Sequence, residues 1–300
     1  MYNTGMKGKW LPLAIAVLLM TAVVLGGCDG ASNGDGDSLS FSITGSNTVQ
    51  PLSVVWAEDF MGQRPEVSIA VSGPGSGVGI AALIDGTTEV AQASRKIKQS
   101  EIDAATANGV NPYEIQVATD ALAVVVHPSN SVTELTYAQL SAIYTNQITN
   151  WQELGGADAT IVAIARDTNS GTHVFFKETV VQMRGLPSED TSLEYGPDVL
   201  QLPSTSAGID EVTGNPNAIF YAGLAYVTGD VASVAIKERA DDTAVLPSVE
   251  TATDGTYVLV RPLLYYTDGQ PSGVVKDFID YCLSTEGQAK VLDVGYVPVQ

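Results

Sequence analysis

Two cysteines and two histidines in 300 residues leave little room for thiol or metal chemistry. A Cys/His metal centre needs three or four clustered ligands. His127 follows an apolar run, His173 opens a helical pattern, and neither has a cysteine nearby. Basic residues are also scarce, with 14 Lys and Arg against 34 Asp and Glu and a formal charge of −20. So acidic a chain is a poor partner for nucleic acid or anionic lipid. The spacings H-E-x-x-H, G-x-S-x-G and G-x-x-x-x-G-K-[ST] are all missing, which argues against zinc peptidases, nucleophile-elbow hydrolases and P-loop NTPases. Carboxylate or hydroxyl chemistry needs no fixed spacing and stays open. The glycine-rich stretch 73–79 does not make a dinucleotide motif: G-x-G-x-x-G begun at Gly73 meets Val78, and begun at Gly75 it meets Ile80. No internal repeat is visible.

Long hydrophobic runs are nearly absent too. The 16-residue run 10–25, broken only by Pro12 and Thr21, follows Lys7 and Lys9. It is shorter than the roughly 20 residues of a membrane span. A basic end, an apolar middle and small residues make 1–27 a secretory signal. Leu25-Gly26-Gly27-Cys28 resembles a bacterial lipobox, which implies cleavage before Cys28 and a lipid on its thiol. Residues 29–38 (DGASNGDGDS) cannot bury a core and read, with Cys28, as an acylated, flexible linker. A lipidated Cys28 leaves no partner for a disulfide, and Cys282, in the apolar stretch FIDYCLS, reads as an inert buried thiol. About 270 residues remain, enough for two lobes.

What the chain does have is a repeated device. Residues 161–165 form a short apolar strand closed by Arg166, then Asp167, Thr168, Asn169, Ser170 and Gly171 make a turn. Helical spacing begins at Thr172 and runs through Val174, Phe175, Glu178 and Val181. An arginine fork, hydroxyls and a helix N-terminus within seven residues suit a tetrahedral oxyanion. The competing reading is a strand–turn–helix with a simple Ser/Thr cap. Strand 39–43 leads through Gly45-Ser46-Asn47-Thr48 into a helix with Pro51 in its first turn and Leu52, Val55, Trp56, Asp59 and Phe60 at helical spacing. Strand 67–71 leads through Ser76 into a short helix stopped by Asp85-Gly86. In an open α/β sheet such turns lie at the carboxyl ends of strands, where ligands bind. A buried anion must have its oxygens re-bonded.

Elsewhere, Ser94-Arg95 with Lys96 and Lys98 is either a solvated basic cluster or part of a site. Residues 97–107 read as a surface helix capped by Ser100. Asp120 heads the buried strand 120–126 and is either a structural cap or a ligand acceptor. Thr136 to Gln139 is a capping box. Residues 186–214 are turn-rich, 218–227 are apolar, 256–264 read as a strand and 274–283 as a helix. The alternation argues for an α/β fold with mixed, mostly parallel sheets.

The stretches GSNTVQPL, GPGSGVGIAALIDG, ASRKI, DALAVVVHPSN, LTYAQLSAIYTNQITNW, RDTNSGT, NPNAIFYAGLAYV and GYVP span about residues 41–299. As a set, the chain resembles the phosphate-binding proteins of bacterial phosphate ABC transporters. The resemblance implies a two-lobed, type II periplasmic-binding-protein fold with a ligand cleft. Lobe 1 is then 39–120 with 228–300, and lobe 2 is 121–227. It further implies a monomer that binds inorganic phosphate outside the cytoplasm, anchored to the membrane through Cys28, and delivers it to permease subunits. No catalysis, cofactor, metal or nucleic acid is implied. The anion-contacting positions fall on Thr48, Ser76, Arg166, Ser170, Gly171 and Thr172, with Ser46, Gly77 and Ser94 as neighbours. Part of the family has an aspartate where Arg95 stands, and many relatives have Ser or a small residue where Asn47 stands. An aspartate accepts a hydrogen bond from the proton on phosphate and repels fully ionised sulfate; Arg95 does neither, so either Asp120 takes over as acceptor or selectivity is weaker. The rival expectations are the same fold binding sulfate or another oxyanion, a secreted phosphatase, and a tethered adhesion or signalling domain.

Overall fold

The computed structural model describes residues 39–299. The signal segment 1–27, the lipidation position Cys28 and the linker to residue 38 lie outside the described residues, as does Gln300. The chain opens with β1 (Leu39–Gly45), α1 (Gln50–Gln63), β2 (Val67–Ser72), α2 (Ser76–Ile84), β3 (Val90–Ala93) and α3 (Gln99–Ala107). It continues with β4 (Pro112–Val126), β5 (Glu134–Thr136), α4 (Tyr137–Tyr144), β6 (Val162–Arg166), α5 (Gly171–Phe176), β7 (Leu200–Leu202), α6 (Thr205–Gly214) and β8 (Ala218–Gly223). The last part is β9 (Ala232–Lys237), α7 (Val249–Thr253), β10 (Val260–Asp268), α8 (Gly273–Leu283) and α9 (Thr285–Val294).

The strands lie in the order β2-β1-β3-β10-β4-β8-β6-β7, with β9 beside β4 and β5. The flanks are parallel, as helical crossovers require: β1 with β2 and β3, and β6 with β7 and β8. The middle is antiparallel, because β10 runs against β3 and β4, and β4 against β8 and β9. The sheet is therefore mixed, as expected, with its antiparallel part concentrated where the two halves join.

Two of the four apolar clusters among the described residues flank that junction. One gathers Phe41, Ile43, Trp56, Phe60, Val117, Ala118, Leu263, Tyr265 and Phe278. The other gathers Ala121, Leu122, Tyr144, Trp151, Phe176, Tyr221, Val234, Ile236 and Leu259. Both β4 and β10 thus pass from one core to the other, β4 between Ala118 and Ala121 and β10 between Val260 and Leu263. β9 bonds to β4 and β5 on the second core's side, and the chain crosses back only within β10.

Local differences from expectation have local causes. α1 buries Leu52, Ser53, Trp56, Ala57 and Phe60. Ser53 can enter the core because its hydroxyl reaches Gln92 Oε1 at 2.7 Å and the Tyr265 hydroxyl at 2.6 Å. Asp59 stays half-buried at the edge, bonded to the Tyr281 hydroxyl. α3 starts at Gln99, not at a Ser100 cap, because Glu101 reaches back to the Lys98 N–H. β4 extends upstream to Pro112 through its ladder with β10. The helix after Gly171 widens into a π turn over Lys177–Val181, and its buried face includes His173, Phe176, Val180 and Val181. Cys282 is a free, buried thiol whose pKa is pushed up by burial.

Candidate functional site

Each strand–helix turn is built by a different local device. At the end of β1, Gly45 adopts φ +144°, and a Cβ there would lie 2.1 Å from the Gln92 carbonyl oxygen. Only glycine permits that approach. The Ser46 N–H then donates to Gln92 O at 2.7 Å, and Ser46 Oγ accepts from the Val49 N–H at 3.3 Å. This fixes Thr48 at the head of α1, almost fully buried. At α2, Ser76 Oγ accepts from the Ser94 N–H at 3.2 Å and lies 3.5 Å from Ser94 Oγ. At α5, Ser170 Oγ accepts from the N–H groups of Thr172 and His173 at 3.1 and 3.4 Å. Ser170 is therefore a helix cap, yet its hydroxyl proton remains available as a donor. The capping and anion-binding readings of this segment are compatible.

The three turns converge. Thr48 Oγ1 and Thr172 Oγ1 are 3.0 Å apart. A Cβ on Gly171 would sit 2.4 Å from Ser76 Oγ and 2.6 Å from Ser94 Oγ, so these two hydroxyls lie directly against its Cα. The Gly77 N–H donates to the Asn169 carbonyl at 3.2 Å. Residues from β1–α1, β2–α2 and β6–α5 thus form one buried cluster of hydroxyls between the two cores.

Two guanidinium groups border it. Arg166, at the end of β6, is 1% exposed. Its Nη1 donates to Thr205 Oγ1 at 2.7 Å and to Asn47 Oδ1 at 3.4 Å, its Nη2 to Pro203 O at 2.9 Å, and its Nε to Leu202 O at 3.3 Å. All four acceptors are neutral. No carboxylate pairs with Arg166 among the described residues, and burial lowers its pKa. Arg261 lies on β10. Its Nε and Nη2 donate to Asp120 Oδ2 at 3.0 and 2.8 Å, and Nη2 also reaches Thr172 Oγ1 at 2.9 Å and Thr48 Oγ1 at 3.4 Å. Desolvation pushes the Asp120 carboxyl above its ordinary value, with Arg261 opposing that shift. Two arginines thus stand against one carboxylate beside the hydroxyls. That arrangement offers donors and positive potential to an oxyanion inside an acidic chain, where the field is screened beyond roughly 8–10 Å.

Not every expected residue faces the cluster. Ser46 is spent on its own turn. Gly77 contributes a backbone amide to an Asn169 bond. Arg95 turns to Glu101, which it grips with both terminal nitrogens at 2.8 and 2.6 Å. Asp120 is reached through Arg261, not directly. Asn47 does more than fill space: its side-chain oxygen accepts from Arg166 and from the Thr205 N–H at 3.1 Å, joining two turns. Sequence reasoning missed Arg261 and Thr205. The signal for Arg261 was its place in the apolar run TYVLVRPLL, since a buried arginine needs a buried partner and Asp120 had been left without one. Thr205 lay in the turn-rich segment 186–214 and had no readable signal. Among the described residues no group of three or more His, Cys, Asp or Glu is placed to hold a metal, and no helix is long and apolar enough to cross a membrane.

Residues 30–286 match the family profile described as PBP superfamily domain. The phosphate-binding protein PstS of Pseudomonas aeruginosa is 30% identical over 281 residues, covering 88% of this chain and 84% of the relative. PstS of Bacillus subtilis is 29% identical over 302 residues, covering 96% and 93%. Among solved structures, a Clostridium perfringens protein assigned as a phosphate ABC transporter substrate-binding protein, with bound phosphate, superposes with a TM-score of 0.73 at 32% identity. That match covers 87% of this chain and all of the other. An ABC-type phosphate transport receptor from Vibrio cholerae gives 0.68 at 28% identity, with the same coverage.

Proposed function

Since this chain belongs to the PBP superfamily and, within it, to the PstS-type phosphate-binding proteins, we propose that its hydroxyl cluster binds inorganic phosphate for delivery to an ABC permease. The observation that carries the reading is the meeting of Thr48, Ser76, Ser94, Gly171 and Thr172 beside Arg166 and Arg261. In this reading Thr48 and Thr172, which touch each other, turn their hydroxyls to the anion. Ser76 and Ser170 donate from their turns, and Gly171 admits the ion close to the backbone. Arg166 supplies charge through a fork already aligned by Thr205, Asn47 and Pro203. Charge-assisted bonds contribute about 1.5–3 kcal/mol each. Several of them offset desolvation and reach micromolar affinity, about −8 kcal/mol.

The same reading divides the molecule into lobe 1, residues 39–119 and 262–299, and lobe 2, residues 121–260, with the cleft between. In this reading the contacts from Thr48 to Thr172 and from Gly77 to Asn169 join the lobes, as in a closed form. On this reading the protein acts by binding. Among the described residues none of the cleft hydroxyls is hydrogen-bonded to a histidine or carboxylate base, as a nucleophile requires. His173 is engaged at Nδ1 with the Arg166 carbonyl at 2.7 Å. An extracytoplasmic monomer held to the membrane by lipid on Cys28 completes the proposal.

Thermal melting tests it. Phosphate at 100 times its dissociation constant adds about 2.7 kcal/mol of stability. A rise in Tm with phosphate but not with sulfate supports the receptor reading. Equal rises favour a general oxyanion receptor, which Arg95 in place of an acidic residue would allow. No rise with either anion removes the assignment.

A further inference from the structure

Five of the chain's 14 Lys and Arg residues line one cavity beside the hydroxyl cluster: Arg95, Lys96, Lys98, Arg184 and Arg261. The cavity measures about 400 Å³, and Glu178 is the one acidic residue in its wall. Ile97, Val174, Phe175 and Pro262 form the apolar remainder. In a chain of formal charge −20 this concentration of positive charge is a built feature that packing alone does not require.

Most of these cations have partners. Arg95 pairs with Glu101, Arg184 with Glu178, Lys96 with Glu114 at 3.8 Å, and Arg261 with Asp120. What is left over points to a ligand. Arg95 and Arg261 are 7% and 2% exposed, yet Arg95 Nε and Arg261 Nη1 have no hydrogen-bond partner among the described residues. A buried guanidinium N–H without an acceptor is costly, and these are the two such atoms found there. Both residues line this cavity. Lys98 forms no ion pair among the described residues and stands at the same wall. The cavity also adjoins the first site. Arg261 Nη2 bonds Thr172, and Arg95 Nη2 lies 3.7 Å from where a Gly77 Cβ would be.

We propose that this cavity is a second oxyanion subsite, joined to the first through Arg261. It rests on the phosphate reading of the hydroxyl cluster and extends the ligand class to two phosphoryl groups. The second group accepts from Arg261 Nη1 and Arg95 Nε, with Lys98 and Lys96 closing on its outer oxygens. It arrives either as the second phosphoryl of a condensed phosphate or as a second free phosphate ion, which have the same donor requirements.

Calorimetric titration of the protein with orthophosphate and with pyrophosphate distinguishes these sources when repeated on a Lys96→Ala/Lys98→Ala double variant. Both lysines are exposed, so the variant keeps the fold, checked by its unfolding midpoint. The expected result is pyrophosphate bound one to one, at least tenfold weaker in the double variant, while the first orthophosphate equivalent changes less than twofold. A second orthophosphate equivalent lost in the variant supports the subsite with free phosphate as its source. A single orthophosphate equivalent, together with pyrophosphate that fails to bind or binds both proteins equally, overturns the inference. Absence of the first orthophosphate equivalent from the unmodified protein counts instead against the phosphate reading, and the pyrophosphate comparison still judges the cavity.

Discussion

Arg261 and Asp120 face each other across β10 and β4, with Nη2 2.8 Å from Oδ2, at the point where both strands pass from one apolar core to the other. The pair is fully buried, and the same guanidinium nitrogen reaches Thr172 and Thr48. A junction crossed by only two strands is a place where lobes can move. The ion pair fixes a charge there and ties it to hydroxyls from both sides of the cleft.

Removing one partner leaves the other charge buried alone. Arg261→Met or Asp120→Leu should destabilise the fold by about 3–5 kcal/mol, measured by urea unfolding. The Asp120→Leu/Arg261→Met double variant should lose clearly less than the sum of the singles. Additive losses would mean that the two side chains are not coupled.

Arg166 is held by neutral acceptors only, so its charge is available to an anion. Arg166→Ala should weaken phosphate binding at least tenfold in calorimetry. Arg166→Lys should recover little, since an ammonium cannot reproduce the planar grip on Thr205, Pro203 and Leu202. An unchanged affinity in Arg166→Ala would remove this residue from the site.

Gly171 lies against two hydroxyls. Gly171→Ala places a methyl 2.4 Å from Ser76 Oγ and 2.6 Å from Ser94 Oγ. Overpacking of this kind costs about 1–3 kcal/mol, and here it pushes apart the groups proposed to hold the ligand. Phosphate affinity should fall at least tenfold, with a lower Tm. Wild-type affinity would show that the turns need not approach this closely.

His173 sets a pH dependence. It is buried against Tyr195, with ring centroids 4.6 Å apart, and burial lowers its pKa below the ordinary histidine value. The unfolded chain therefore binds a proton more readily than the folded one. The stabilisation is fully present above about pH 6.5, the unfolded value, and is lost as pH falls toward the folded value. Tm should drop between pH 7.5 and 5.5, and His173→Gln should flatten that part of the profile. A variant that keeps the full wild-type slope would contradict this assignment.

The strand–turn–helix units at Thr48, Ser76 and Ser170 were legible because their signals are local: an apolar run, glycine and hydroxyls, then helical spacing. The resemblance of RDTNSGT and its companion stretches added the expectation that these turns share a ligand. Arg261 with Asp120 was not legible, because their meeting depends on the antiparallel register of two strands 141 residues apart. The place of residues 232–237 was not legible for the same reason, since β9 is positioned by pairing with β4 and β5 and not by its own pattern. Nothing local in the sequence reveals that Glu101, six residues on, takes the two terminal nitrogens of Arg95 and leaves Nε over.

The central claim is that the hydroxyl cluster beside Arg166 and Arg261 is a phosphate site, and direct calorimetric titration tests it most directly. The expected result is saturable phosphate binding, with a dissociation constant near or below about 1 μM for the first equivalent, weakened at least tenfold in Arg166→Ala. The absence of saturable heat at millimolar phosphate, or equal binding by the Arg166→Ala variant, would contradict it.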